Sequence, residues 1–162
     1  MKALCLKEVS FIEPEEKHFF LMEKLERETF SNFFNKSFIS TIILKSAVAL
    51  VVNVNKTYSG HIIANISSEE LDILKIVIHP KFRRRGLGSK LLLNLLKHLE
   101  LSSIKKILLE VAIDNKQALS FYSYLGFEKV GYRPSYYKNS NKDALVLKLK
   151  PKILLKSLEI SI

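Results

Sequence analysis

Between positions 71 and 127 lie the residues whose types and spacing could do chemistry: Arg83-Arg84-Arg85-Gly86-Leu87-Gly88, then Glu110, then Tyr122. The first is a basic glycine loop set between a strand-like run, LDILKIVIHP, and a Leu-rich helical run. The N–H groups in a helix's first turn have no intrahelical partner, and the helix dipole adds partial positive charge there. Glycines let the backbone approach a ligand closely, and consecutive N–H groups can form an anion nest. The loop therefore suits a pyrophosphate. It is neither G-x-G-x-x-G nor an ATPase P-loop, which would end in Gly-Lys-Ser/Thr, so neither nucleotide fingerprint is met. Taken alone, the hexapeptide equally suits a capping loop with exposed arginines. A nucleic-acid-binding helix fits less well, because Lys90, Lys97 and His98 are sparse among leucines and no groove-reading motif surrounds them. Glu110 alone suits an ion-paired strand residue, and Tyr122 alone a core or rim aromatic.

These groups need a scaffold, and periodicity supplies one. Alternation predicts a strand over 3–11, and Pro14 followed by Glu15 and Glu16 opens a helix to about Arg27. That helix places Phe19, Met22, Leu25 and Glu26 near one face. A break over 29–35 carries Phe30, Phe33 and Phe34, expected in the core, and a second helix covers 36–44. Strands over 47–54, 61–66 and 71–79, joined by turn-rich segments, predict an antiparallel meander that Pro80 ends. Leucines at 87, 91, 92, 95, 96 and 99 recur at helical spacing. A strand over 104–113, a helix over 115–125 before Gly126, and strands over 127–137 and 144–149 complete the order. The whole reads as an α/β (α+β) mixed sheet with helices, one domain over 1–150 and an apolar-basic tail over 151–162.

Composition narrows the setting. The 162 residues hold 48% apolar side chains and only 5 Gly and 4 Pro, which fits one compact core. The lone cysteine, Cys5, excludes an intramolecular disulfide, and no histidine is placed to activate it. The apolar stretch 38–54 is broken by Ser40, Thr41, Lys45, Ser46 and Asn53, so no membrane span is expected. No N-terminal segment has the pattern of a secretory signal, and a soluble, reducing, cytoplasmic setting is expected. The net charge of +10 favours a polyanionic partner, an acidic substrate or a phosphate-rich cofactor, although a Lys-rich solvated surface explains it equally. His18, His61, His79 and His98 lack metal-ligand spacing, and no metal is expected.

Read together, the motifs are familiar. R-x-x-G-x-G at 83–88, after a strand ending V-I-H-P, resembles the acetyl-CoA motif of the GNAT superfamily of N-acetyltransferases. LEV-x-x-x-N-x-x-A-x-x-x-Y-x-x-L-GF over 109–127, then R-x-x-YY over 133–137, is similar to the RimI-type ribosomal-protein alanine N-acetyltransferases. The resemblance implies a mostly antiparallel sheet of about seven strands with about four helices. It implies acetyl-CoA as cosubstrate, with Ile76, Val77 and Ile78 along the pantetheine arm. Arg84, Arg85, Gly86, Leu87, Gly88 and Ser89 would hold the pyrophosphate, and Asn115 would touch the cofactor arm. Glu110 and Tyr122, twelve positions apart, would be general base and general acid, and Tyr136 or Tyr137 would contact the substrate backbone. The acceptor would be a protein or peptide N-terminus, with ribosomal proteins among the candidates. Three departures stand out. Lys75 lies where the family often has Asn or Thr, Glu28-Thr29-Phe30-Ser31 lacks the usual Pro-Trp, and the tail from Pro151 is extra.

Direct transfer needs a neutral amine and a proton for the departing thiolate. An α-amine of pKa about 7.7–8.0 is roughly a tenth neutral at pH 7, whereas a lysine near 10.4 is neutral to only about 0.04%. An N-terminal amine therefore asks less of a base such as Glu110, whose burial would help. Two alternatives remain open: a GNAT enzyme acting on a small amine or an internal lysine, and a non-catalytic acyl-CoA- or RNA-binding module.

Overall fold

The computed structural model describes residues 8–99, 104–152 and 154. Its strands form one seven-stranded sheet in the order β1-β2-β3-β4-β5-β7-β6. The elements are β1 (Val9–Ile12), α1 (Glu16–Thr29), α2 (Lys36–Lys45), β2 (Ala47–Val54), β3 (Thr57–Ser67) and β4 (Glu70–Ile78). Then come a 3-10 turn (Pro80–Phe82), α3 (Leu87–His98), β5 (Lys106–Ala112), α4 (Lys116–Tyr124) and β6 (Glu128–Tyr137). A second 3-10 turn (Lys138–Ser140) leads into β7 (Lys142–Leu149). The pairs β1–β2, β5–β7 and β6–β7 run antiparallel, and β4–β5 runs parallel. The expected mixed, mostly antiparallel sheet is therefore present. The chain divides into two compact units, Met1–Ile63 with Lys75–Leu95, and Ala64–Leu74 with Leu96–Ile162.

In the first unit, α1 begins at a capping box in which the Glu15 side chain and His18 satisfy each other's backbone N–H groups. Its buried stripe is His18, Phe19, Met22, Leu25 and Glu26, the face read from periodicity with one histidine added. Asn35 caps α2 by accepting from the Phe38 N–H at 2.8 Å. Strand β2 is almost wholly buried, and Asn55 and Lys56 turn it into β3 with φ of 51° and 63°. Two successive left-handed residues are what a two-residue type I′ hairpin requires. At Gly60 an added Cβ would lie 2.4 Å from the Val77 carbonyl oxygen, so only glycine permits that backbone approach.

In the second unit, Glu70–Ile73 of β4 pair in register with Lys106–Leu109 of β5. Ile107, Leu109 and Val111 are buried with Leu71 and Ile73, while the alternate positions of β5 carry Lys106, Leu108 and Glu110. Asn115 caps α4, accepting from the Ala118 N–H at 3.1 Å, and Gly126 ends the helix at φ 87°. A Cβ added at Gly131 would lie 3.3 Å from the Val146 side chain, beside a register shift in β6.

The boundaries differ from sequence expectation mainly at element ends. The strand expected over 3–11 lies partly outside the described residues, as does Cys5, and β1 continues to Ile12. In the tail, Pro151 and Leu154 are buried, and 153 and 155–162 lie outside the described residues. Phe30, Phe33 and Phe34 are half-buried rather than core, because each offers its ring face to a cation. Among the described residues no helix is long and apolar enough to cross a membrane.

Candidate active site

The second unit holds the acid-base candidates. Glu110 is the first residue of β5 beyond the register with β4, and its side chain is 15% exposed. Arg133 of β6 approaches its Oε1 at 3.3 Å, and the Tyr136 hydroxyl lies near enough to the same carboxylate to favour its charged form. The Tyr137 hydroxyl donates to the Glu110 main-chain carbonyl at 3.3 Å. Asp72, paired in register with Leu108, lies on the sheet face that carries Glu110. Burial pushes the Glu110 carboxyl above the ordinary carboxylate range and the Asp72 charge pushes the same way, while Arg133 and Tyr136 oppose them. Asp72 is itself raised by burial and by Glu70. The result is a carboxylate flanked by Arg133 and Tyr136, which favour its charge, yet kept more basic than a free one.

Tyr122 on α4 is buried, with Phe121 and Phe127 rings at 5.2 and 5.3 Å. Burial, then the neighbouring Tyr137, push its phenol well above 10. It therefore keeps its proton more firmly than a free tyrosine, and is a weaker acid than its residue type alone suggests. Tyr137 is pushed up to about 12 by burial, with Tyr136 and Glu110 adding to it. Tyr137 thus has both candidates as neighbours: it hydrogen-bonds Glu110 and lies within electrostatic reach of Tyr122. Tyr136 and Tyr137 pack edge to face at 5.0 Å, and the Arg133 guanidinium lies over the Tyr136 ring. Asn115 is exposed on this unit, with its side-chain oxygen engaged as the α4 cap and its amide N–H groups left for another acceptor.

The first unit holds the other cofactor candidates. Ile76, Val77 and Ile78 form the end of β4, and the Ile78 carbonyl accepts from the Arg83 Nε at 2.8 Å. Arg83 is thus spent on shaping the loop. Arg84 is exposed at φ 60°, and Gly86 follows at φ 72° with nothing within 4 Å of an added Cβ. Gly86 is required for its backbone angle, and the space above it is open. Leu87 and Ser89 are buried in the first turn of α3, and Gly88 lies between them. A helix start with open space over a glycine accommodates an anion.

The same unit contains a buried cluster that pattern reading did not assemble. Glu26 and His61 are wholly buried, with Oε1 and Nε2 3.1 Å apart. The carboxylate favours a proton on Nε2, which leaves Nδ1 to accept from the Tyr58 hydroxyl at 2.5 Å. Glu26 Oε2 accepts the Phe34 N–H at 2.9 Å and lies 3.7 Å from the Lys75 ammonium. Lys75 donates to the Asn32 carbonyl at 2.7 Å and sits over the rings of Phe30 and Phe34 at 4.4 and 4.6 Å. Burial lowers its pKa, and Glu26 opposes that. Among the described residues no group of three or more His, Cys, Asp or Glu is disposed to hold a metal.

Comparison with known proteins accords with these features. Residues 11–127 match the family model described as Acetyltransferase (GNAT) family. The chain is 34% identical over 89 residues to the ribosomal protein bS18-alanine N-acetyltransferase of Salmonella typhimurium, covering 54% of this chain and 60% of that protein. The match thus spans less than two thirds of that curated relative. In fold it is similar to the ribosomal-protein-S18-alanine N-acetyltransferase of Escherichia coli, with TM-score 0.79 and 21% identity over 88% of this chain and 94% of the other. It is similar too to Arabidopsis thaliana Naa50 in complex with the bisubstrate analogue CoA-Ac-MVNAL, with TM-score 0.77 and 22% identity over 88% and 98%. With the family model matching most of its length, the chain belongs to the GNAT family of acetyltransferases.

Proposed function

We propose that this protein moves the acetyl group of acetyl-CoA directly to the α-amino group of a protein N-terminus, with ribosomal proteins among the candidate acceptors. The observation that carries the reading is the environment of Glu110: a mostly buried carboxylate, raised by burial and Asp72, with the Arg133 guanidinium 3.3 Å away and Tyr136 beside it. Such a group takes a proton from an ammonium near neutral pH more readily than a free carboxylate does. In this reading Glu110 is the general base, acting directly or through a water, and Tyr122 returns a proton to the departing thiolate. Tyr122 stays protonated throughout the working range, so the phenol is present to donate as the carbon–sulfur bond breaks, although its raised pKa makes it a weaker donor than a free tyrosine. Ile76, Val77 and Ile78 would line the pantetheine arm, with Asn115 touching it. Residues 84–89 would take the pyrophosphate at the start of α3. Tyr136 and Tyr137 would meet the acceptor's backbone. Residues 1–150 would act as one catalytic domain in a cytoplasmic setting.

The preference for an α-amine draws on the names of the relatives and on the smaller demand that amine makes of a base. The test is a mass-spectrometric screen with acetyl-CoA over Ala-, Ser-, Met- and Thr-starting peptides, lysine peptides and polyamines. Acetylation of α-amines is expected, and acetyl groups found only on lysine side chains or polyamines would overturn the choice of acceptor. Absence of any transfer together with no thermal protection by acetyl-CoA would favour a non-catalytic module.

A further inference from the structure

In a regular strand, neighbouring side chains point to opposite faces. Tyr136 and Tyr137 are neighbours on β6, yet both reach Glu110, one at its carboxylate and the other at its main-chain carbonyl. Arg133 reaches the same carboxylate. The register explains the convergence. Arg133 pairs with Ala144 and Tyr137 with Lys142, so four steps on β6 (133 to 137) oppose two on β7 (144 to 142). The extra residues form a bulge, which re-aims side chains that a flat ladder would send apart.

A bulge of this kind needs support. Ser135 within it adopts φ 48°, a left-handed conformation that is unfavourable for a non-glycine residue. Asp143 supplies the support. It stands on β7 between the two paired positions, and its carboxylate accepts the Ser135 N–H at 2.8 Å and the Tyr132 hydroxyl. Both bonds hold the Asp143 carboxyl below its ordinary range, so it is ionised wherever the enzyme works. Ala144 and Val146 lie in register with Ala112 and Glu110, so alternation places Asp143 on the other face, away from Glu110.

We propose that Asp143 is a positioning residue for the Glu110 site: by pinning Ser135 and Tyr132 it fixes the β6 bulge that brings Arg133, Tyr136 and Tyr137 onto Glu110. The inference rests on Glu110 being the base, but the pin itself is testable without turnover. Glu110 is faced by Asp72 from β4, by Arg133, Tyr136 and Tyr137 from β6, and by the apolar Val146 from β7. Asp143 is flanked by Lys142, which pairs with Asp114 at 2.6 Å. Arg133 and Tyr136 favour the Glu110 carboxylate, whereas burial and Asp72 disfavour it. Loosening the bulge therefore removes the stabilising groups and leaves the opposing ones.

The experiment is carbon-13 NMR titration of the Glu110 carboxyl, assigned with Glu110→Gln, in wild type, Asp143→Ala and Asp143→Asn. Steady-state kinetics over pH accompany it. In Asp143→Ala the Glu110 titration and the acid limb of kcat/KM are expected to move to higher pH. Its kcat is expected to fall about ten- to a hundredfold, with acetyl-CoA affinity unchanged. Asn keeps an acceptor for the Ser135 N–H and is expected to restore most of both. A folded Asp143→Ala in which Glu110 titrates as in wild type overturns the inference, whether or not any acetyl transfer occurs. Should the alanine variant fail to fold, Tyr132→Phe decides, a smaller shift in the same direction supporting the pin and no shift overturning it. Wild type that transfers no acetyl group while the titration moves as expected counts against the proposed function alone.

Discussion

Replacing Glu26 by alanine removes the acceptor on which the C-terminal half of α1, the 30–35 connection and β3 converge. The carboxylate is wholly buried and serves the His61 Nε2 at 3.1 Å, the Phe34 N–H at 2.9 Å and the Lys75 ammonium at 3.7 Å. A buried donor stripped of its acceptor costs about 1–3 kcal/mol, and His61, fully enclosed, belongs at the upper end. The Phe34 N–H is only partly buried and belongs near the lower end. Lys75 keeps the Asn32 carbonyl and two aromatic faces, so its loss is partly offset. The expected total is about 3–5 kcal/mol, the usual cost of breaking a buried ion pair from one side. For a chain of this size that lowers Tm by on the order of 10 °C. Glu26→Gln is the informative control. His61 can shift its proton to Nδ1, accept from the Gln amide at Nε2 and donate to the Tyr58 oxygen, so the cost is expected to be about 1–2 kcal/mol. Urea unfolding with an unchanged slope is the assay. A loss below about 1 kcal/mol in Glu26→Ala, or a glutamine variant as damaged as the alanine one, would refute this account of the cluster.

The remaining predictions concern the chemistry and the loop. Glu110→Gln is expected to lower kcat by about 10²–10⁴ with little change in acetyl-CoA affinity, and wild-type turnover would remove the base role. Tyr122→Phe is expected to lower kcat in the same way, and stopped-time peptide assays at saturating acetyl-CoA check it. Glu110 has a folded-state pKa above its unfolded one, so whatever it contributes to stability is present at low pH and lost as pH rises through the folded value. Glu110→Gln should therefore unfold at equal or higher urea than wild type near neutral pH, with the gap closing in acid; a destabilised variant would contradict that sign. For the same reason the acid limb of kcat/KM should lie above the ordinary carboxylate range. Gly60→Ala is expected to be strongly destabilising, because its Cβ would meet the Val77 carbonyl at 2.4 Å, and a melting curve like that of wild type would show that β4 can yield there.

Much of the fold is local and could be read as such. The stripe of α1, the Asn55–Lys56 hairpin, the leucine spacing of α3 and the Asn115 cap each depend on residues a few positions apart. The glycine loop was visible for the same reason, whereas the pairing of Glu110 with Tyr122 came from the resemblance to the GNAT family. Side-chain neighbours across the sheet were not. Asp72 was an unremarked polar residue in an apolar run until the parallel register put it on the face of Glu110.

From the amino-acid sequence alone came the order of elements and the anion-suited loop before α3, because period and turn chemistry act over a few residues; Glu110 and Tyr122 were singled out by the resemblance to the GNAT family. Tertiary structure alone decided what surrounds them. His61 meets Glu26 across 35 positions, Lys75 meets Asn32 across 43, and Tyr137 meets Glu110 across 27. No local pattern encodes such pairs, since they arise from strand register and from the β6 bulge. Those long-range contacts turn Phe30 and Phe34 from expected core into faces for a cation, firm up the Tyr122 proton, and make Glu110 more basic than its residue type.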